Sequence, residues 1–232
     1  MPEVYPRFFD LGFEGIVGGA GGYAAVGSTV LLDERMPADH VQALTRMWEE
    51  LDAFYVWQGP DQMGPSRGYL DFFVPRASEN PQDWVEYGES VTPFVVDIDG
   101  GAFTKVTAYV PPDKASLERV SAALPEGYRA IIGSVGAAGY VPFEIIPDHL
   151  SKAVGMQAVC EHIGIPMSRS VAIGDSNNDV EAVARAGIGI SIGDGCAALV
   201  EVADIVAPAV GDGGLAWALA AAGLIDEAPN PA

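Results

Sequence analysis

The sequence predicts an α/β protein that combines a parallel sheet at its C-terminal end with an α+β region in its middle. Three observations predict this fold class. Residues after about 147 alternate short apolar strands with helices, which is the pattern of a parallel sheet. Residues 24–146 mix longer extended segments with two helices, and 232 residues at 49% apolar composition suffice for one or two ordinary cores. We therefore divide the chain into 1–23, 24–146 and 147–232.

In 147–232, strands and helices follow one another in strict alternation. The segment "SKAVGMQAVCEHIGI" predicts a helix with Ser151 as its N-cap. Its inner face is predicted to consist of Val154, Ala158, Val159 and Ile163. The strands and helices after it are predicted at "SVAIGD", "DVEAVARAG", "GISIG", "CAALVEVAD", "IVA" and "GGLAWALAAAGLI". Because the strands are apolar throughout rather than alternating, we expect both faces of the sheet to be covered.

The region 24–146 has a different pattern. Two short strands are predicted around Gly27 and Ser28. An amphipathic helix is predicted at "PADHVQALTRMWEELDA", with an inner face of Val41, Leu44, Met47, Trp48 and Leu51. Extended segments are predicted at "YLDFFVP", "TPFVVDI", "FTKVTAYVP", "RAIIGSV" and "YVPFEIIP", with a further helix at "DKASLERVSAALP". This pattern predicts an open, mostly antiparallel sheet inserted ahead of the parallel one.

Charge and hydropathy exclude several classes of partner. The formal charge is −20, with 12 basic against 32 acidic residues, and such a surface repels nucleic acid and anionic lipid. No apolar run is long enough to span a membrane, and the N-terminus lacks a signal-peptide pattern, so we expect a cytoplasmic protein. Cys160 and Cys196 lack metal-ligand spacing and are predicted to be buried free thiols. The sequence does not determine the oligomeric state.

A polar corner, "GDSNND", follows the predicted strand "VAI". In parallel sheets the loops at the carboxyl ends of the strands form the ligand crevice. Carboxylates there suit Mg²⁺, and the start of the next helix offers free N–H groups to an anion. A single Asp or Asn at such a place could act only as a helix cap. One cap does not require Asp175, Asn178 and Asp179 together, so we interpret the corner as a site for a phosphate and a metal.

The corner also carries a resemblance to a known family. "GDSNND" resembles the fourth motif of the haloacid dehalogenase (HAD) superfamily, in particular the Cof-type phosphatases with an α/β (C2B-type) cap. "PDHLSKAVGMQAVCEHIGI" is similar to the third motif, with its lysine at Lys152. "ISIGDGCAALVEVADIVAPAVGDGGLAWAL" resembles the family's ending, and "LGFEGIVGGAGGYAAVGSTVLLDERMP" its passage from core to cap. The resemblance implies a HAD-like Rossmannoid core with an inserted α+β cap domain: 1–23 would be a remnant of the core leading into the cap, 24–146 the cap, and 147–232 the C-terminal half of the core.

The resemblance also implies a chemistry. The chain would be a Mg²⁺-dependent phosphatase for a small phosphorylated metabolite such as a sugar phosphate. Asp175 would bind the metal, Lys152 would neutralise phosphoryl oxygens, and Asp179 would support that lysine. Asn178 and Ser176 would contact the substrate phosphate. Such roles suit phosphoryl transfer, which depends on positioning and on compensating charge.

The family's nucleophile motif has no clear counterpart. A DxDGT-like loop is expected well before the passage into the cap, where this sequence has only "MPEVYPRFFD". Asp10 lacks the second aspartate and the Gly-Thr pair. We therefore expect the N-terminal strands of the core to be missing, which would expose strand edges, and we expect the chain to be inactive or truncated. The alternative is a non-catalytic remnant or structural module that binds phosphate and Mg²⁺.

A second candidate for the nucleophile lies in the middle of the chain. "FVVDIDGG", with Asp97 and Asp99, imitates the nucleophile loop, and "AIIGS" imitates the second motif with Ser134. However, "AFTKVTAYVPP" follows at once and resembles a cap strand, and only 18 residues separate Ser134 from Lys152. We interpret Asp97 and Asp99 as a polar turn between cap strands. Activity through them is a third hypothesis, under which Asp97→Asn would abolish turnover.

Overall fold

A computed structural model describes residues 7–76, 81–114, 116–133, 135–193 and 195–226. By their internal contacts the residues group into two compact units, Met1–Leu150 and Ser151–Ala232. No helix within the described ranges combines the length and the apolar character that crossing a membrane requires. The predicted fold class, α/β with an additional α+β region, is confirmed.

The first unit begins with a small antiparallel sheet in the order β1-β2-β3. A single helical turn precedes it, and the elements are α1 (Arg7–Asp10), β1 (Gly15–Gly18), β2 (Tyr23–Val26) and β3 (Thr29–Asp33). The two strands predicted around Gly27 are thus present. Gly27 has a φ of +54°, a left-handed conformation that glycine adopts without steric cost, so the chain can reverse there.

A five-stranded antiparallel sheet in the order β5-β4-β6-β8-β7 forms the rest of the first unit. Its elements are α2 (Ala38–Glu50), β4 (Phe54–Gln58), β5 (Met63–Pro65), α3 (Tyr69–Phe73), α4 (Pro81–Val91), β6 (Lys105–Val110), α5 (Leu117–Ala122), β7 (Tyr128–Ile132) and β8 (Val141–Pro147).

The inner face of α2 is the one that the sequence predicts. Val41, Leu44 and Trp48 are buried at helical spacing and belong to the same core cluster as Trp57 of β4. The indole N–H of Trp57 donates to the hydroxyl of Thr45 at 3.0 Å. The opposite face of the sheet carries a second core. It is built mainly from aromatic side chains, namely Tyr69, Phe72 and Phe73 of α3, Tyr109 of β6, and Tyr140, which directly precedes β8.

Several expectations for this region are wrong. The segment "YLDFFVP" is the helix α3 rather than a strand, because Tyr69, Phe72 and Phe73 bury one helical face and packing overrides their β propensity. The segment "TPFVVDI" is a 3₁₀ turn and a loop, with a single bridge from Val95 to Met63. The strands β4 and β5 and the helix α4 were not expected from the sequence.

The helix α5 begins at a side-chain cap that offers a direct test. Ser116 has an extended conformation, and its hydroxyl accepts a hydrogen bond from the backbone N–H of Arg119 at 3.3 Å. We expect Ser116→Ala to lower the free energy of unfolding by about 1 kcal/mol, because one N–H of the first turn loses its partner. Urea denaturation monitored by circular dichroism measures this, and Ser116→Asp, which restores an acceptor, should recover most of the loss.

The second unit is a parallel sheet in the order β11-β10-β9 with helices on both faces, as predicted. Its elements are α6 (Lys152–His162), β9 (Val171–Gly174), α7 (Val180–Arg185), β10 (Ile188–Ile192), α8 (Ala197–Val202), β11 (Ile205–Ala207) and α9 (Gly214–Ala221). One core lies among α6, α7 and α8 and includes Ala172, Val183 and Leu199. The other lies against α9 and includes Ile190 and Ala218.

The predicted inner face of α6 is wrong. Its fully buried residues are Ala153, Gly155 and Cys160, whereas Ile163 is 52% exposed. Small residues form the buried side because α6 packs closely against α7. Both cysteines are free: Cys160 is buried as expected, whereas Cys196 is only half-buried and precedes α8.

Candidate functional site

The polar corner lies where β9 ends and α7 begins. β9 closes at Gly174, residues Asn177–Asp179 form a 3₁₀ turn, and α7 starts at Val180. β9 and β10 are parallel, with Gly174 opposite Ser191, so the corner occupies the carboxyl edge of the sheet. This is the edge at which parallel α/β sheets hold ligands.

The carboxylate of Asp179 organises the corner. The residue is 7% exposed, and its Oδ2 accepts hydrogen bonds from the backbone N–H groups of Asp175, at 3.3 Å, and Ser176, at 3.2 Å. The hydroxyl of Ser176 donates to the same oxygen at 3.1 Å. These bonds hold Asp175 and Ser176 against the 3₁₀ turn that contains Asp179. The loop geometry is therefore fixed by one buried carboxylate.

Lys152 contacts the same carboxylate from another element. It is the first residue of α6, and its Nζ donates to Asp179 Oδ1 at 2.5 Å. The side chain of Asp179 is 10% exposed and that of Lys152 is 40% exposed, so the ammonium lies at the boundary with solvent. A lysine at a helix N-terminus is opposed by the helix macrodipole, which makes the ion pair a specific feature rather than a favoured default. The predicted proximity of these two residues is thus what the structure shows.

Asp175 lies in the same loop with its backbone held on both sides. Its N–H donates to Asp179, and its carbonyl accepts from the N–H of Cys196 at 3.2 Å. Its side chain is exposed, and within the described part of the chain its carboxylate makes no hydrogen bond or ion pair. The backbone is therefore fixed while the carboxylate stays available to a ligand.

The side chains of Ser176 and Asn178 form a hydrogen bond with each other. The hydroxyl of Ser176 is 2.8 Å from Asn178 Oδ1 as well as near Asp179. Both residues are half-buried. Their predicted contacts with a substrate remain predictions.

Two buried hydroxyls lie beside the corner and were not identified from the sequence. Ser151 occupies the N-cap position of α6 as predicted, yet its hydroxyl makes no capping bond. Its Oγ, and that of Ser191 in β10, are buried and lack a hydrogen-bond partner among the described residues. A serine inside the apolar strand "GISIG" was the only sequence signal for Ser191.

The two alternative nucleophile candidates lie in the first unit. Asp10 is the exposed last residue of α1. Asp97 and Asp99 are exposed in the loop between a 3₁₀ turn and β6, where the N–H of Gly101 donates to the carbonyl of Ile98. They border an open cleft of about 910 Å³. Neither follows a strand of a parallel sheet, and Ser134 lies outside the described residues.

A metal site built wholly from protein ligands is not present in the described ranges. No three side chains of His, Cys, Asp or Glu there are grouped so that they could hold an ion. At the corner Asp175 offers one uncommitted carboxylate, and the carboxylate of Asp179 is occupied by Lys152 and by the loop. Mg²⁺ usually takes one or two carboxylates and completes its shell with water and phosphate oxygens, so Asp175 fits as one such ligand.

Comparisons with known proteins identify relatives of this chain. The family model for haloacid dehalogenase-like hydrolases matches residues 1–219. A 5-amino-6-(5-phospho-D-ribitylamino)uracil phosphatase of Bacillus subtilis is 38% identical over 68 residues, which are 29% of this chain and 25% of that protein. A phosphoglycolate phosphatase of Aeropyrum pernix is 43% identical over 96 residues, which are 41% of this chain and 38% of that protein. The chain thus matches well under half the length of either relative.

The fold has solved counterparts. A sugar phosphatase of HAD subclass IIB superposes with a TM-score of 0.72, covering 95% of this chain and 80% of the other, at 16% identity. At this identity the likeness concerns the fold.

Proposed function

Because this chain belongs to the haloacid dehalogenase-like hydrolase family, we propose that its polar corner binds the phosphoryl group of a small phosphate monoester, such as a sugar phosphate, together with Mg²⁺. The single observation that carries the proposal is the ion pair of Lys152 with the buried Asp179, beside the uncommitted carboxylate of Asp175. The relatives from Bacillus subtilis and Aeropyrum pernix, both phosphatases of small phosphorylated metabolites, support this class of ligand.

Each residue has a distinct role in this proposal. Asp179 holds the ammonium of Lys152 at the edge of the sheet, and Lys152 directs its remaining N–H groups toward the phosphoryl oxygens. Asn178 and Ser176 contribute polar contacts to the same group. The N-terminus of α6 adds backbone N–H groups that lack helical partners.

Mg²⁺ would be bound through Asp175. The ion would supply charge compensation at the phosphoryl oxygens. Asp175 fits this role because its backbone is fixed and its carboxylate is exposed and uncommitted within the described residues. Lys152 and an ion held by Asp175 would then offset the phosphate charge from two sides of the corner.

Hydrolysis requires a further group, because phosphatases of this type transfer the phosphoryl group to an aspartate. The corner itself contains two carboxylates, those of Asp175 and Asp179, and both already have roles, in binding the metal and in holding Lys152. We propose that this chain by itself binds phosphate without turning it over. This corresponds to the alternative of a non-catalytic phosphate and Mg²⁺ module, and the loop position of Asp97 and Asp99, which follow no parallel strand, supports it.

Three further expectations complete the proposal. The partner is a small phosphorylated metabolite; nucleic acid and anionic membranes are not expected to bind a chain with a charge of −20. The location is cytoplasmic.

Asp175→Asn tests the metal role. We expect Mg²⁺ to strengthen the binding of inorganic phosphate to the wild-type chain, as measured by isothermal titration calorimetry. In the variant, the gain in phosphate affinity on adding Mg²⁺ should be smaller by roughly tenfold or more. The thermal midpoint should stay unchanged, because the side chain makes no hydrogen bond with the described residues. Asp212→Asn, also exposed in the second unit, is the matched control.

A turnover assay separates the hypotheses. With p-nitrophenyl phosphate and sugar phosphates in the presence of Mg²⁺, we expect no activity. Activity that disappears in Asp97→Asn with the fold intact would instead support catalysis from the first unit. Phosphate binding that is the same in wild type and in Lys152→Met would refute the proposed site.

A further inference from the structure

Ser191 lies on β10, directly opposite Gly174 at the end of β9. Its neighbours Ile190 and Ile192 point into the core against α9. Because side chains alternate along a strand, Ser191 points to the other face, on which α7 and α8 pack. Asp179 lies on this same face, since a Cβ on Gly174 would meet its side chain. Ser191 is therefore placed directly behind the polar corner.

The hydroxyl of Ser191 lies beside the point at which two loops of the carboxyl edge meet. The N–H of Cys196, in the loop after β10, donates to the carbonyl of Asp175 at 3.2 Å. A Cβ built on the preceding residue, Gly195, would lie 2.3 Å from Ser191 Oγ and 3.7 Å from the carbonyl oxygen of Asp175. Both oxygens are thus close to one point, and no side chain of residue 195 stands between them.

The stability of the unloaded chain does not explain why a serine occupies this position. Ser191 is 0% exposed, and its Oγ has no hydrogen-bond partner in the part of the chain that the structure describes. A buried hydroxyl without a partner destabilises a fold. Packing does not require it either, because the other residues of β9 and β10 on this face are Ala172, Gly174 and Gly189, and alanine would fit equally well.

The corner contains an acceptor that matches this donor. A carbonyl oxygen has two lone pairs, and among the described residues that of Asp175 accepts one hydrogen bond, from Cys196. The proton of a hydroxyl rotates to suit an acceptor within reach. A second hydrogen bond at this carbonyl would fix the main chain of the residue whose carboxylate is proposed to bind Mg²⁺.

We propose that Ser191 is a positioning residue of the polar corner: in the ligand-bound corner its hydroxyl donates to the carbonyl of Asp175 and so holds the carboxylate of that residue toward the ion. The inference rests on the proposed function and deepens it, because Ser191 acts through Asp175 and does not touch the ligand. The hydroxyl that lacks a partner in the unloaded chain gains one on binding, and this gain adds to the affinity for the ligand.

Ser191→Ala tests the proposal in two measurements. Urea denaturation of the unloaded variant should give a midpoint at or above that of wild type, because a buried hydroxyl without a partner is removed. In isothermal titration calorimetry with inorganic phosphate, the gain in affinity on adding Mg²⁺ should be smaller by roughly threefold to tenfold. Phosphate affinity without Mg²⁺, which depends on Lys152, should equal that of wild type.

Thr104 provides a matched control in the first unit. It is 1% exposed, and its Oγ1 likewise lacks a hydrogen-bond partner among the described residues. Thr104→Val, which keeps the shape of the side chain, should leave phosphate affinity unchanged with and without Mg²⁺. Ser191→Cys, which places a weaker donor at the same position, should recover part of the Mg²⁺-dependent gain.

The outcomes separate this inference from the proposed function. If Ser191→Ala keeps the full Mg²⁺-dependent gain while Asp175→Asn loses it, the inference is overturned and the proposed function stands. A lower urea midpoint for unloaded Ser191→Ala also overturns it, because the hydroxyl then has a structural partner such as a buried water. So does an equal loss of phosphate affinity with and without Mg²⁺. If wild type shows no Mg²⁺-dependent gain, the proposed function fails and the inference fails with it.

Discussion

Replacing Asp179 with alanine is expected to abolish phosphate binding and to lower the free energy of unfolding by about 3 kcal/mol, because three hydrogen-bond donors of the loop lose their charged acceptor at about 1 kcal/mol or more each. The carboxylate accepts hydrogen bonds from two backbone N–H groups and a hydroxyl and also pairs with Lys152. Alanine leaves those donors without an acceptor. Urea denaturation and titration with inorganic phosphate measure the two effects.

The exposed partner and an exposed carboxylate provide the comparison. Lys152 is 40% exposed, so Lys152→Met should cost much less stability than Asp179→Ala, although it should remove phosphate binding equally. Asp212→Ala, at an exposed position of the same unit, should leave both properties unchanged. Equal stability of Asp179→Ala and wild type would mean that the carboxylate does not hold the loop.

The parallel sheet could be predicted from the sequence because its signals are local. Each short apolar strand in 171–207 is followed by a helix, and this alternation is typical of a parallel sheet whose two faces are both covered. The elements of the antiparallel region were harder to predict. The aromatic residues of α3 favour strands by propensity, yet they pack as a helix. The buried triple Tyr69, Phe72 and Phe73 has helical spacing, which is a signal that propensity obscured.

The candidate site could be predicted only in part. The close approach of Lys152 to Asp179, which are 27 positions apart, was expected from the resemblance and is confirmed by the geometry. The buried hydroxyls of Ser151 and Ser191 could not be anticipated, because burial without a partner is a property of the packing. The ion pair of Lys105 with Glu144 was not predicted for a similar reason: the two residues lie on the neighbouring strands β6 and β8, whose register the sequence does not reveal.

Gly174→Ala is expected to disrupt the corner as strongly as the loss of Asp179. A Cβ at this position would lie 2.3 Å from the Cβ and 2.6 Å from the Cγ of Asp179, distances that no packed structure tolerates. The clash involves a buried side chain tied by several hydrogen bonds, so it cannot be relieved by rotating a flexible end. We expect a loss of about 3 kcal/mol or more, at or above the upper range for overpacked sites, together with loss of phosphate binding.

The chain offers a matched glycine that isolates this steric argument. Gly211, also in the second unit, would place a Cβ in open space, and its φ lies outside the left-handed region. Gly211→Ala should therefore be neutral or slightly stabilising, since alanine restricts the unfolded chain more than glycine does. If Gly174→Ala unfolds at the same urea concentration as Gly211→Ala and still binds phosphate, then close packing of Gly174 against Asp179 is not required for the function. The absence of a side chain at Gly174 would then not be needed for the contact between Asp179 and Lys152.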